Sequence, residues 1–223
     1  MSAPPPPREE ERLAALEAYD IMDSETEEAF DDLVAIASTV CRTPIALISL
    51  VDGERQWFKA RKGLQASQTP REDAFCAHAI LDKGTTVVPD ATRDERFKEN
   101  PLVTRDPSIR FYAGAPLQTT DGLGLGTICV IDTEPRKLED WQIEVLESLS
   151  RQAMRLMELR KISARLADSL QKIRTLGELL PVCAWCRKVR SDDEYWVQLE
   201  EYVTQRSDTR ISHGICPDCS ENL

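Results

Sequence analysis

Apolar residues recur along this chain in two different periods, and the change from one to the other marks its parts. In residues 8–19, Leu13, Leu16 and Tyr19 return at helical spacing. An acidic connector follows over 20–28. A second helix is expected over 28–40, where Phe30, Leu33, Val34, Ile36, Ala37 and Val40 make a stripe wide enough to pack on a sheet. The period then shortens. Residues 45–52 (IALISLVD) are a β-branched run closed by the turn signal DGER, and 56–64 (QWFKARKGL) read as the return strand of a hairpin. A second hairpin is expected from 111–119 (FYAGAPLQT) and 125–132 (LGTICVID), joined through Thr120, Asp121 and Gly122. Gly122, Gly124 and Gly126 do not match the phosphate-binding GxGxxG spacing and precede a strand, so they read as turn residues.

Beyond the second hairpin a helical pattern runs over 138–180, without a proline and without a glycine before Gly177. At about 1.5 Å per residue it would reach roughly 65 Å, longer than one domain needs for its own closure. Leu159, Ile162, Leu166, Ser169, Ile173, Leu176 and Leu180 alternate steps of three and four, a heptad seam broken only by Ser169. Charged neighbours (Arg160, Lys161, Arg165, Asp168, Lys172, Arg174) keep the stripe narrow, which predicts a parallel homodimeric coiled coil rather than a helix packed on its own domain. At the other end, Pro4 to Pro7 predict an extended, flexible start over 1–12.

The section between the hairpins carries distinctive phrases of its own. QWFKARKGL, FCAHAI, VVPDATRDERF, IRFYAGAPL and GTICVID, in this order and spacing, resemble bacterial GAF domains, cytosolic sensory modules found upstream of many signalling enzymes. The likeness covers about residues 13–160. It implies an α+β fold: an antiparallel sheet backed by helices on one face, with a ligand cavity under loops on the other. The expected organisation is a flexible start (1–12), a sensory domain (13–137), a coiled-coil helix (138–180) and a cysteine tail (181–223). Where such cavities lie, the candidate ligand-binding residues are Trp57, Cys76, His78, Asp90, Phe97, Phe111 and Tyr112, with Phe58, Arg93 and Arg96 beside them. The alternative is ordinary: Phe97 and Phe111 as core, and the arginines paired with Asp90, Asp94 or Glu95.

Cysteine usage adds candidate chemistry. Cys41 and Cys129 fall on apolar faces and read as inert buried thiols. Cys76 lies in the region where GAF photoreceptors bond a bilin, but those place a histidine directly after the cysteine, and here Ala77 intervenes. A pocket-lining or buried thiol is therefore expected. A nucleophilic Cys76 near His78, as in GAF-fold reductases of free methionine sulfoxide, is the enzymatic alternative, although the phrases of that family are absent. In the tail, Cys183 and Cys186 form one CxxC pair and Cys216 and Cys219 another, the arrangement of a tetrahedral thiolate zinc site. Such a closed site is structural rather than catalytic. His213, three residues before Cys216, reads as a neighbour of the ion or a turn residue, with replacement of one cysteine as ligand the alternative, and a dithiol redox switch is the competing use. Between the pairs, Trp196, Leu199 and Val203 are expected on one helical face. The tail phrases CAWCRKVR, EYWVQLEEYV and SHGICPDC also resemble a short cysteine tail at the ends of bacterial sensor and response-regulator proteins.

Charge and composition then exclude several classes. The 223 residues carry 39 acidic against 28 basic side chains, a net charge of -11, which disfavours nucleic acid and anionic membrane as partners. No segment approaches the roughly 20 apolar residues of a membrane span, so a cytoplasmic protein is expected. Neither of the two histidines sits in a histidine-kinase phosphoacceptor pattern, and neither nucleotide-binding glycine boxes nor a cyclase signature follow. The expectation is a sensor that is not itself an enzyme. It would bind a small molecule or a signalling partner and pass the change along a dimeric helix to a zinc-held tail. A zinc-dependent adaptor with a non-binding scaffold is the other reading.

Overall fold

A computed structural model describes residues 2–177, 182–190 and 196–206. The chain divides into two compact units, 1–164 and 165–223. In the first, the helices α1 (Glu9–Glu17) and α2 (Glu28–Cys41) precede the hairpin of β1 (Ile45–Val51) and β2 (Arg55–Lys62). The edge strand β3 (Gln68–Pro70), a 3-10 turn (Arg71–Asp73), α3 (Phe75–Ala79), β4 (Thr86–Val88) and α4 (Pro101–Thr104) occupy the middle section. The hairpin of β5 (Phe111–Gln118) and β6 (Gly124–Asp132) and the long helix α5 (Asp140–Gly177), as far as residue 164, complete it. Six strands form one antiparallel sheet in the order β3-β2-β1-β6-β5-β4.

Both expected hairpins are present, joined side by side by β1 and β6, where Leu47 faces Cys129 and Ser49 faces Thr127. The edges β3 and β4 were not foreseen, because three residues are too few to display a period. Gly122 is in the turn, but Gly124 and Gly126 lie inside β6. A Cβ at Gly126 would stand 1.9 Å from the Ser49 carbonyl, so this strand position requires glycine for close approach rather than for a turn.

Strict alternation gives the sheet two cores. Ala46, Ile48, Leu50, Phe111, Ala113, Ile128 and Val130 face a layer made by α1, α2 and the first half of α5. Ile45, Leu47, Phe58, Tyr112, Cys129 and Ile131 face the opposite way, under α3, α4 and the loops around them. The bulge opposite Ile48 and Ser49 shifts the β2 register, and the buried Lys59 points toward the helices. Its Nζ bonds Ser24 Oγ at 2.8 Å, the Glu25 carbonyl at 2.6 Å and Glu27 at 2.6 Å, fastening the acidic connector.

Two expected boundaries change. The expected flexible start over 1–12 already contains helix: α1 begins at Glu9, and Arg12 is buried with its guanidinium on the Val51 carbonyl and on Glu9. The module also does not stop at 137. Leu138, Leu146, Leu149, Ala153 and Met157 are buried in the helix-side core, so the first half of α5 is domain structure. Removing any of the larger ones to alanine would cost about 2–5 kcal/mol. Further along, Leu159, Ile162 and Leu166 are 60%, 58% and 59% exposed. Leu180 lies outside the described residues. In the second unit, β7 (Val189–Arg190) pairs with β8 (Trp196–Val197), and α6 (Leu199–Arg206) follows. Trp196 is therefore a strand residue opposite Arg190 instead of sharing a helical face with Leu199.

Candidate functional site

On the face away from α5 a cavity of about 510 Å³ opens between the sheet and the loops. Its floor is the odd-numbered side of β1 (Ile45, Leu47), Gln56 and Phe58 of β2, Tyr112 of β5 and Ile131 of β6, the set that alternation directs to this side. Phe75 and Cys76 of α3 close one wall. Leu64, Leu102, Pro107 and Ile109 come from the flanking loops, and the exposed residues Gly63, Gln65, Ala66 and Asp106 form the mouth. The volume is in the range of small-molecule sites, roughly 300–1,000 Å³.

The walls are mainly apolar, with polar groups at Cys76 and Tyr112 and at one further place. Gln56 and Thr69 are register partners across β2 and β3, both line the cavity, and Gln56 Oε1 and Thr69 Oγ1 are buried without a hydrogen-bond partner among the described residues. A buried polar atom left unpaired costs about 1–3 kcal/mol. Two of them side by side on a cavity wall are what a ligand's polar end would satisfy.

Of the residues expected in the pocket, Cys76 and Tyr112 line it, as does Phe58. Trp57 and Phe111 do not. Each sits one residue out of phase with a cavity-facing neighbour, so the pleat turns it into the helix-side core. Phe97 is buried behind the cavity, stacked on Phe75 at 4.0 Å between ring centroids, and His78 meets the Phe97 ring edge-on at 4.8 Å. These two support the Phe75 wall rather than form it. Asp90 is in a loop, where its carboxylate accepts from the Thr92 hydroxyl at 2.7 Å and pairs with Arg93 at 3.4 Å. The Thr92 hydroxyl, followed by the Thr92 amide and the nearby Arg93, holds it below the ordinary carboxylate range. Arg96 is paired with Asp94 at 2.8 Å. Gln56 and Thr69 went unrecognised in the sequence; the signal was present as a polar residue at a core-facing phase of β2.

Cys76 is surrounded by donors. Thr127 Oγ1 lies 3.0 Å and the Tyr112 hydroxyl 3.3 Å from its sulfur, and Cys129 Sγ is 3.9 Å away. Burial opposes the thiolate, but hydrogen bonds from Cys129, Ser49, Thr127 and Tyr112 outweigh it and bring Cys76 down to about 7. Burial and the charge on Cys76 push Tyr112 well up, and the bond to Cys76 together with burial does the same for Cys129. By contrast Cys41, buried among the helices without such donors, is pushed up to about 11.

The described part of the cysteine tail contains one CxxC turn. The Cys186 amide points at Cys183 Sγ from 3.5 Å, the Cys183 amide bonds the Lys188 carbonyl at 2.8 Å, and Arg187 takes a left-handed φ of 61° to close the turn. Amide donation from Cys186 and then Trp185 lowers the Cys183 pKa. Two thiols held this way suit a thiolate-binding ion. Cys216, Cys219 and His213 lie outside the described residues.

The sequence pattern of the GAF domain family matches residues 25–157. A cyclic di-GMP phosphodiesterase of Pseudomonas aeruginosa is 49% identical over 156 residues, 69% of this chain but 27% of that protein, so the chain spans about a quarter of its relative. Among solved structures, the GAF domain of an Acinetobacter phosphoenolpyruvate-protein phosphotransferase matches 68% of this chain and 93% of its own at 17% identity and a TM-score of 0.51. The chromophore-binding domain of a bacteriophytochrome from R. palustris matches 72% of this chain and 65% of its own at 10% identity, with a TM-score of 0.51. Identities this low speak for the fold alone. With the family pattern over most of the chain, a six-stranded antiparallel sheet and helices on one face, the chain belongs to the GAF domain family.

Proposed function

We propose that this chain is a cytoplasmic signalling sensor: its cavity binds a small molecule, and α5 carries the change toward a zinc-held tail. The observation that carries the reading is the unpartnered pair Gln56 Oε1 and Thr69 Oγ1 on the wall of an apolar cavity. That pair suits a ligand with an apolar body and a hydrogen-bonding end. The sheet between cavity and helix is one residue thick. Tyr112 faces the ligand side while its neighbours Phe111 and Ala113 pack in the core that contains α5. Ser150 of α5 bonds the Pro116 carbonyl of β5 at 2.6 Å, so a shift of β5 reaches the helix directly. A ligand biases α5 only as far as it prefers one arrangement over the other.

In this reading the exposed seam at Leu159, Ile162 and Leu166 pairs with a second copy in parallel, since matched sensory heads then deliver one signal to matched tails. Cys183 and Cys186, joined by Cys216 and Cys219, hold one zinc per chain. A closed thiolate site supplies folding energy to a segment too short to bury much core. The chain itself is a regulatory module and not an enzyme. The phosphodiesterase activity in the relative's name belongs to a protein of which 27% is matched.

Native mass spectrometry of protein purified from cells in chelator-free, reducing buffer reads ligand, zinc and dimer together. The expected result is a dimer with one zinc per chain and a retained small molecule, lost in Tyr112→Ala. Cys183→Ser is expected to lose the zinc while leaving the melting of the sensory unit unchanged. If the cavity is empty and no small molecule from a cell extract shifts the melting temperature, the adaptor reading replaces the sensor.

A further inference from the structure

Cys76 and Cys129 stand out because the ligand reading gives Cys129 no role and does not explain the hydroxyls gathered at Cys76. Both are buried, one on α3 and one on β6, with sulfurs 3.9 Å apart, near van der Waals contact. They differ in access. Cys76 lines the cavity and Cys129 lies behind it. Reagent arriving through the mouth therefore meets Cys76 first.

The surroundings also differ in kind from a structural thiol's. Ser49 and Thr127, register partners on β1 and β6, are 3.3 Å apart, and the Thr127 hydroxyl continues to Cys76 at 3.0 Å. The Tyr112 hydroxyl reaches the same sulfur because residue 114, two positions along β5, is glycine. A Cβ there would stand 2.1 Å from that hydroxyl. Three strands thus deliver hydroxyl groups to one sulfur, an arrangement that stabilises sulfur carrying negative charge and has no use for a neutral packing residue.

We propose that Cys76 and Cys129 form a hydroperoxide-reactive dithiol at the floor of the cavity, Cys76 attacking and Cys129 resolving. The Cys76 thiolate attacks the outer oxygen of the hydroperoxide. An S–O bond forms, the O–O bond breaks, and the departing alkoxide or hydroxide takes a proton from water at the mouth. The Cys129 sulfur then displaces the sulfenic hydroxyl, which leaves as water with the Cys129 proton. Two thiols and one hydroperoxide become one disulfide, one alcohol (or water) and one water. Forming that bond shortens the sulfur separation from 3.9 Å to about 2.0 Å, drawing α3 and its Phe75 toward β6 and narrowing the cavity. The dithiol stands independently of ligand binding, since it requires the cavity only as a path.

The test is hydrogen peroxide added to the reduced full chain, followed by thiol blocking and tryptic mapping. The peptides 72–83 and 111–136 carry Cys76 and Cys129 separately. The expected product is these two peptides joined, formed at peroxide doses that leave Cys41 reduced. In Cys129→Ser, Cys76 should stop at a sulfenic acid that dimedone captures; in Cys76→Ser, Cys129 should stay reduced. Thr127→Val removes one donor. If this raises the Cys76 pKa by about one unit, the gain in intrinsic nucleophilicity offsets part of the lost thiolate, so oxidation near neutral pH should slow roughly twofold and its pH profile should move upward. Cys76 that oxidises no faster than Cys41, or joins a cysteine other than Cys129, overturns the proposal, as does a Thr127→Val profile that does not move.

Discussion

Thr69→Val should make the ligand-free protein more stable and its complex weaker, a pair of signs that separates a binding wall from a structural one. Valine keeps the shape of threonine and exchanges the hydroxyl for a methyl group. In most proteins that exchange in a buried position destabilises, because the hydroxyl had a partner. Here Thr69 Oγ1 is buried with none. Removing it relieves a desolvation cost of about 1–3 kcal/mol. Taking the lower end, and the 164 residues of the sensory unit as the cooperative block, the melting temperature should rise by roughly 2–4 °C. A ligand that used the hydroxyl would lose about 0.5–1.5 kcal/mol, a two- to tenfold higher Kd. Calorimetry on the empty wild type and variant reads the first number, and titration with the small molecule that co-purifies with the wild type reads the second. A melting temperature that falls or stays put would mean that solvent at the mouth already satisfies the hydroxyl, and the main support for the ligand site would go.

Gly114→Ala should destabilise by about 1–3 kcal/mol, since its Cβ would meet the Tyr112 hydroxyl at 2.1 Å in a fully buried site; an unchanged denaturation midpoint would show that the ring has room to move. Leu166→Lys with Ile173→Lys should give monomers by light scattering, because a charge at each of two seam positions is costly to pair; an unchanged dimer mass would put the interface elsewhere. Burial raises the Glu9 pKa, but hydrogen bonds from Arg12 and Arg71 outweigh it and hold the carboxyl below its ordinary value. Its stabilising effect is therefore complete above the unfolded pKa of about 4.3 and is lost as pH falls through the lower folded value. Hydrogen exchange of the α1 amides should quicken over that acid window in the wild type, and Glu9→Gln should abolish the step; a step that survives in the variant would assign it to another group.

Local pattern was enough for a large share of this fold. The β-branched run over 45–52 and the apolar run over 125–132 read as strands, and because side chains alternate along a strand each feeds both faces of the sheet. The run over 28–40 read as a helix because its apolar residues return every three or four positions, and α2 occupies Glu28–Cys41. Family phrases located the sensory module. The candidate pocket was legible only in part, since the phrases name segments and a segment contributes alternate residues to opposite faces. Phe111 and Tyr112 are neighbours in one phrase, yet they lie on opposite sides of the sheet.

What needed the tertiary structure was everything set by residues far apart in the chain. Whether a helix is core or linker depends on what covers it, so 138–157 and 159–166 belong to one unbroken helical pattern although Leu146, Leu149, Ala153 and Met157 are buried and Leu159, Ile162 and Leu166 are exposed. The phase of β2 was set by a bulge opposite Ile48 and Ser49, which arises from pairing and leaves no mark in composition. Gln56 and Thr69 became a site only when β2 and β3 were placed side by side, and Cys76 met Cys129 only when α3 crossed β6, a sequence separation of 53 residues. Periodicity is a property of neighbours along the chain, and it determined the elements and their faces. Contact between those faces is a property of the closed fold, and it decided which polar atoms are left unpaired and which thiols are brought together.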